Sequence, residues 1–472
     1  MISTFEDLLL ITWLAAVATV PSVLLQRRGR PTAALAWLFA LFALPPVTLF
    51  AWWLIGRSHL SRKRRRRQHA LEELNQALIA EQRRVARPQS AADRLLSDVS
   101  LPPALQQAIF PPSGGNRAVL LEDTRQAFDA WEQSIDQARH HIHMLYYIWR
   151  NDTVGRRFLR LLTEKARQGL QVRVLYDGVG SATLPADFFR PLSEAGGHAE
   201  CFMPIRFFSR RPMINFRNHR KLLIADGRIG YTGGINIGEE YLGWQDLGLL
   251  VEGPGVDQLQ EIFFDDWYFA CREDLTDSGC FGRWQEVTSE PGVSCATVAS
   301  GPDQRFNATR EMLFLAFLHC QRRLWIMTPY LVPDSAFSQA LRSAAYRGVD
   351  VRIMVPAESD VPLVRRASRA FYPDLTDAGV RIYEYAGMLH AKTLVFDEEL
   401  LLIGSANMDT RSFRLNFEVS TFLVSRSLNG QVARFFLRHQ TRSQRVDTRH
   451  LAQRSWSEQV LDAAAHLMSP LL

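Results

Sequence analysis

The sequence predicts an α/β protein of two similar halves packed on a pseudo-twofold axis, preceded by an N-terminal two-segment transmembrane helical anchor. Three features carry that prediction. Two long uncharged runs lie near the start. Apolar strand runs alternate with amphipathic stretches beyond about residue 116. That later region also repeats itself. With 472 residues, 47% of them hydrophobic and 22% charged, a sizeable packed core is expected and wholesale disorder is excluded. The expected divisions are an anchor with a basic cluster (1–67), a linker helix (68–115), a first half (116–290) and a second half (291–472).

The anchor is read from Leu8–Leu25 and Thr32–Ile55, neither of which holds a charge. About 20 apolar residues cross a hydrocarbon core. Trp52 and Trp53 lie near the end of the second run, where indoles favour the interface. A secretory signal would open on positive charge, whereas here Glu6 and Asp7 lead and no Lys or Arg precedes the first run. Ten Lys/Arg but only two acids fall in residues 1–67, giving that stretch +8 and the rest of the chain −2. The basic balance therefore belongs to the anchor, with seven basic residues between Arg57 and Arg67. Such a cluster suits an anionic membrane surface better than nucleic acid. The positive-inside rule places it, and the domain behind it, on the cytoplasmic side of a membrane crossed more than once, in a multi-pass arrangement. Three arginines in the connection 26–31 sit awkwardly with two full spans; a tilted or partly re-entrant first segment relieves this. Five scattered cysteines exclude a disulfide scaffold and a CxxC zinc or redox motif.

After the helix-prone linker, prolines at 102, 103, 111 and 112 and the Gly114–Gly115 pair punctuate entry to the globular region. Three segments then recur in the same order. HIHMLYYIW (141–149) matches LWIMTPYLV (324–332), ARQGLQVRVLYDG (166–178) matches AYRGVDVRIMVPA (345–357), and NHRKLLIADGRIGYTGGIN (218–236) matches LHAKTLVFDEELLLIGSAN (389–407). One apolar strand resembles another by chance; three in order do not.

The third pair carries the chemistry. His219, Lys221, Asp226, Gly233, Gly234 and Asn236 correspond to His390, Lys392, Asp397, Gly404, Ser405 and Asn407, in the pattern H-x-K-x4-D-x6-G-[GS]-x-N. The chain has four lysines among its 55 basic residues, and two of them fall here. A chance H-x-K-x4-D is expected on the order of 0.006 times in such a chain. Side chains at i and i+2 share one face of a strand, so each His–Lys pair projects together. Two lysines, the amides of Asn236 and Asn407, and backbone exposed at Gly234 and Ser405 form an expected oxyanion pocket. Two facing histidines then allow phosphoryl transfer without metal or other cofactor: one imidazole attacks phosphorus, and the other donates to the leaving alcohol and deprotonates the acceptor. Lysines at would-be ligand positions argue against a metal.

Each imidazole needs a partner on its second nitrogen. Asp246 and Glu418 follow the two motif asparagines by 10 and 11 residues. They are candidates for that role, or else ordinary strand-end acids. Asp226 and Asp397, at turns, are expected to brace the site and not to touch phosphate. Tyr146, Tyr147 and Trp149 read as core. The basic, aromatic stretch from Arg206 to Arg220 is either a solvated loop or a contact for anionic headgroups.

The doubled motif resembles the phospholipase D superfamily. Over nearly its whole length the chain is similar to the membrane-anchored bacterial cardiolipin synthases, in RRGRPTAALAWLFALFALPP, NHRKLLIADGRIGYTGGINIG, TPYLVPD, MLHAK, ANMDTRSFRLNFEVS and SPLL. The resemblance implies condensation of two phosphatidylglycerols into cardiolipin with release of glycerol, at a bacterial plasma (inner) membrane. Another phospholipid could stand in for one of them. A hydrolytic phospholipase D or another phosphodiesterase is the competing activity. It makes His219, Lys221, Asp226, His390, Lys392 and Asp397 the active-site set, with His219 as nucleophile and His390 as acid/base. Two departures, Leu247 after Asp246 and Gly-Gly in place of Gly-Ser at 233–234, bear on substrate preference.

Overall fold

A computed structural model describes residues 2–28, 31–56, 95–96, 109–204, 215–276, 278–282, 292–304, 306–447 and 453–469. The basic cluster 57–67, nearly all of the expected linker 68–115 and most of the basic stretch 206–220 lie outside the described residues.

The N-terminal segments are helical. α1 spans Ile2–Gln26, α2 Pro31–Ala43 and α3 Pro45–Ala51, followed by a π-type turn at Trp52–Gly56. Ala16, Val23, Leu41 and Trp52 pack together between them. The second apolar run is not one helix as expected: it breaks at Leu44, because Pro45 and Pro46 cannot continue the hydrogen-bond ladder of α2. Thirteen residues of α2 rise only about 20 Å against a hydrocarbon core of about 30 Å. Among the described residues no helix is long and apolar enough to cross a membrane.

The globular region is mixed α/β, with one domain pattern present twice. The first copy contains β1 (Ser113–Leu121), α4 (Thr124–Gln137), β2 (His141–Tyr146), α5 (Thr153–Arg167), β3 (Gln171–Asp177), α6 (Arg190–Glu194), β4 (His198–Phe202), β5 (Arg217–Asn218), β6 (Leu222–Ala225), β7 (Ile229–Gly233), β8 (Gly248–Glu252) and α7 (Gly255–Cys271). The second contains β9 (Val293–Ser300), α8 (Ala308–His319), β10 (Arg323–Met327), β11 (Leu331–Val332), α9 (Ser335–Tyr346), β12 (Asp350–Pro356), α10 (Pro362–Arg369), α11 (Tyr372–Asp377), β13 (Arg381–Tyr385), β14 (Thr393–Phe396), β15 (Leu400–Gly404), β16 (Met408–Asp409), β17 (Asn416–Val424), α12 (Arg426–Gln440), β18 (Ser443–Arg445) and α13 (Trp456–Leu467). Aspartate or asparagine side chains cap several helices, as Asp152 does by accepting from Gly155 N at 2.9 Å.

One sheet runs through both copies in the order β18-β13-β12-β10-β14-β15-β17-β9-β1-β8-β7-β6-β2-β3-β4. Outward from the antiparallel β1–β9 seam the order repeats: β8-β7-β6-β2-β3-β4 on one side, β17-β15-β14-β10-β12-β13 on the other. β17 lies alongside β9 over seven paired residues, from Glu418↔Ser300 to Val424↔Ser294. α7 and α12 pack on one face of the sheet in a core shared by both copies, while α4 and α5, and α8 and α9, cover the other face. Strands β6, β14 and β15 are buried throughout, which explains why they read as continuous apolar runs.

Candidate active site

The two histidine motifs meet at the seam. His219 N donates to Phe417 O at 2.9 Å, and His390 N donates to Gln245 O at 2.7 Å. Each histidine backbone is thus tied to the strand entry that carries a carboxylate in the other half. The side chains follow the same crossed pattern. Nδ1 of His219 lies 3.1 Å from Glu418 Oε2, and Nδ1 of His390 lies 2.7 Å from Asp246 Oδ2. All four groups are buried. An Nδ1–H donated to a carboxylate leaves the lone pair on Nε2, the tautomer of a nucleophile.

Both carboxylates are themselves held. Glu418 accepts from Ser405 Oγ, and from Asn416 Nδ2 at 3.0 Å. Asp246 Oδ1 accepts from Leu247 N at 2.8 Å. The two halves differ here for a visible reason. A Cβ at Gly234 would sit 2.6 Å from Asp246 Oδ2, so the first copy has no room for the side chain that Ser405 provides in the second. The Gly-Gly of the first motif is the counterpart of the shorter carboxylate at 246.

Alternation along the strand works as expected. Lys221 and Lys392 are buried, and each ammonium donates to the carbonyl of its own histidine, Lys221 Nζ at 2.6 Å from His219 O and Lys392 Nζ at 2.5 Å from His390 O. Arg220 points the other way and pairs with buried Asp266 of α7 at 2.6 Å. Burial pulls both imidazoles down to about 4, and the neighbouring lysines press in the same direction. Burial also pulls Lys392 down to about 8 and Lys221 well below its ordinary value, with the carboxylates opposing. Burial would raise Glu418, but His219, Lys221 and Ser405 hold it below the usual carboxylate range. The site therefore presents two neutral imidazoles beside two lysine ammonium groups, which can meet the oxygens of an anionic phosphodiester.

Asp226 and Asp397 brace neighbouring strands. Asp226, with φ +56°, accepts from the backbone N–H of Arg139, His140 and His141 at 2.8–2.9 Å. Asp397, with φ +45°, accepts from Arg322 N at 2.7 Å and from Gln321 N and Arg323 N at 3.2 Å. Five residues of extended chain, about 16 Å, separate each aspartate from its motif lysine, so the carboxylates fasten β2 and β10 and do not reach the pocket. Gly234 clears space for Asp246, Ser405 N donates to Val419 O at 2.8 Å, and Ser405 Oγ is engaged by Glu418 and by Val419 N at 3.0 Å. Asn236 and Asn407 are buried at the ends of the motifs, Asn236 Oδ1 accepting from Ile148 N at 3.2 Å and Asn407 Oδ1 meeting no hydrogen-bond donor among the described residues.

Two aromatic neighbours were not among the expected site residues, although the repeat matches Tyr147 with Tyr330. Tyr147, expected in the core with Tyr146 and Trp149, is only half-buried and stands edge-on to His219 with ring centroids 4.8 Å apart; Lys221 Nζ is 5.2 Å from its ring. Trp244 stands against His390 at 5.1 Å. The available signal was position: Tyr147 follows β2, and Trp244 comes two residues before Asp246. Tyr146 and Trp149 are core residues as expected.

The sequence matches the family described as "Cardiolipin synthase, PLD-like domain" over residues 132–267 and again over 314–440. A cardiolipin synthase of Geobacillus kaustophilus is 35% identical over 97% of this chain and 92% of its own length. Cardiolipin synthase 1 of Bacillus anthracis is 34% identical over 98% of this chain and 93% of its own length. Among solved structures, the phosphatidylserine synthase of Haemophilus influenzae superimposes with a TM-score of 0.59 at 15% identity, covering 75% of this chain and 95% of that one, a likeness of fold.

Proposed function

The chain belongs to the cardiolipin synthase family, whose PLD-like domain it carries twice, and from that premise we propose that it transfers a phosphatidyl group between two phosphatidylglycerol molecules, giving cardiolipin and glycerol. The observation that carries the reading is the crossed pairing of His219 with Glu418 and His390 with Asp246. It supplies two buried imidazoles, each with Nε2 as the free nitrogen, beside two lysines.

In the proposed cycle Nε2 of one imidazole, taken as that of His219, attacks the phosphorus of the first lipid. The bond from phosphorus to the departing glycerol oxygen breaks, and His390, protonated, gives that oxygen its proton. His390 then takes the proton of a glycerol hydroxyl on the second phosphatidylglycerol. That oxygen attacks phosphorus, the phosphorus–nitrogen bond breaks, and cardiolipin leaves. Lys221 and Lys392 balance the charge on the phosphoryl oxygens, with amide hydrogen bonds proposed from Asn236 and Asn407. A bound phosphodiester anion also favours the protonated form of the second imidazole, which burial disfavours.

We further propose that the chain acts at a bacterial membrane, held there by the N-terminal helices. In support, Leu10, Ile11, Leu14, Leu25, Phe39 and Phe50 present large apolar side chains outward. The halves 116–290 and 291–472 are proposed as the two domain copies about a pseudo-twofold axis.

Lipid mass spectrometry of the purified enzyme in phosphatidylglycerol vesicles tests the reaction. Cardiolipin and free glycerol from the wild type, absent from His219→Ala and His390→Ala, are expected. Phosphatidic acid without cardiolipin would make the enzyme a hydrolase.

A further inference from the structure

α13 carries an apolar stripe with nothing against it among the described residues. Trp456, Val460, Ala463, Ala464 and Leu467 recur at helical spacing on one side and are all exposed; Trp456 and Leu467 are each 79% accessible. The opposite side is used for packing: Ala465 joins Val364 and Ala367 of α10 and Val332 of β11 in a small core, while Asp462 pairs with Arg366 and Arg454. Beside the stripe, α10 holds Arg365, Arg366 and Arg369 and no acidic residue, and Leu363 is exposed.

This face borders the pocket. β11, under α10 and α13, pairs with β16, which directly follows Asn407. Asp360, just before α10, hydrogen-bonds Tyr330 at 2.8 Å and is close enough for its charge to act on Lys392. The end of α1 lies near the turn that follows β16. Arg27, at the end of α1, hydrogen-bonds Gly56 O at 3.0 Å and lies near enough to Arg414, in the turn after β16, to feel its charge.

We infer that the outer face of α13, fringed by the arginines of α10, is a docking surface for the headgroup–acyl boundary of an anionic phospholipid bilayer. An indole and leucines backed by arginines are the composition of an interfacial helix. The occupant follows from the neighbours. The arginines of α10 complement anionic headgroups, and a phospholipid entering the pocket must leave its acyl chains in the bilayer next to the entrance. The inference rests on the phospholipid-substrate reading above, and its test separates the two.

The full-length enzyme is reconstituted in phosphatidylglycerol vesicles, with and without acyl chains brominated near the carbonyl end. The emission of wild type minus that of Trp456→Phe isolates one indole among eleven. Bromination is expected to remove more than half of that difference. In parallel, Trp456→Ser with Leu467→Ser is expected to raise the KM for surface lipid at least fivefold, with kcat within twofold and an unchanged Tm. A Trp456 signal untouched by bromination, while the wild type still turns over lipid, overturns the docking surface and leaves the reaction standing. A detergent-solubilised dimer that Leu467→Ser dissociates, again without quenching, assigns the face to a second copy and overturns it too. Quenching with no lipid turnover in any vesicle retains the surface and removes the proposed reaction.

Discussion

Asp246, in the first half, lies 2.7 Å from Nδ1 of His390, in the second. Each half therefore orients the reactive imidazole of the other, and neither half alone contains a complete histidine–carboxylate pair. Asp246→Asn offers an N–H to Nδ1 in place of a carboxylate oxygen. The imidazole then carries its proton on Nε2, where the lone pair is needed. We expect kcat to fall by roughly 10²- to 10⁴-fold, with folding intact. Glu418→Gln is expected to act in the same way on His219. Steady-state cardiolipin formation with circular dichroism on each variant measures this; retention of more than a tenth of wild-type kcat by both would refute an orienting role.

The same relationship makes Gly234 sensitive to a single methyl group. A Cβ there falls 2.6 Å from Asp246 Oδ2, so Gly234→Ala must push the carboxylate off His390. The expected cost is about 1–3 kcal/mol of stability, as for other overpacked sites. Activity should drop much as in Asp246→Asn. Pairing Gly234→Ala with Asp246→Asn then gives little further loss, since both act on one contact. Additive losses in that cycle would show that Gly234 matters for some other reason.

Much of this site was legible in the sequence, because strand alternation is a local rule. His219 with Lys221 and His390 with Lys392 had to share a face, and the repeat marked both pairs. The acids at 246 and 418 were visible as strand-entry residues. Which histidine each would meet was not, because the crossing depends on the β1–β9 seam and on backbone bonds such as His390 N to Gln245 O, both long-range. The use of Gly234 and Ser405 was hidden for a related reason: small residues signal close approach without saying what approaches. The break at Leu44 had a local signal in Pro45–Pro46, outweighed by an unbroken run of apolar composition.

The pocket's burial sets a pH window. As pH falls through about 4 the imidazoles take up protons at Nε2, and above about 8 Lys392 loses its ammonium. Because the cycle needs one imidazole neutral and the other protonated, the kcat/KM of the free enzyme should peak near pH 4, fall about tenfold per pH unit above it, and fall more steeply beyond about 8. Stability follows the same depressed values. Between pH 6.5 and about 4 the unfolded chain binds more protons than the folded one, so stability falls with falling pH. Between about 8 and 10.5 the same inequality holds for Lys392, so its penalty lessens as pH rises. Lys392→Met should remove that alkaline gain in Tm and abolish turnover. A Tm difference between variant and wild type that stays constant from pH 7 to 10.5 would contradict the buried, depressed lysine.

Asp226 and Asp397 separate bracing from catalysis most cleanly. Each stands at a left-handed turn at the far end of its motif strand, and each spends its carboxylate on three backbone N–H groups at the start of a neighbouring strand. A charged acceptor lost to several amides costs about 3 kcal/mol. Asp226→Ala should therefore lower Tm while leaving kcat/KM, measured well below that Tm, within about threefold of wild type. Asp226→Asn keeps one acceptor and should recover part of the stability. A residue that touched phosphate would behave in the opposite way, losing turnover at an unchanged Tm. Because β2 pairs directly with β6, which follows Lys221, any residual kinetic effect should track the loss of strand order and vanish in Asp226→Asn. A kinetic defect that survives in Asp226→Asn at full stability would return this aspartate to the chemistry.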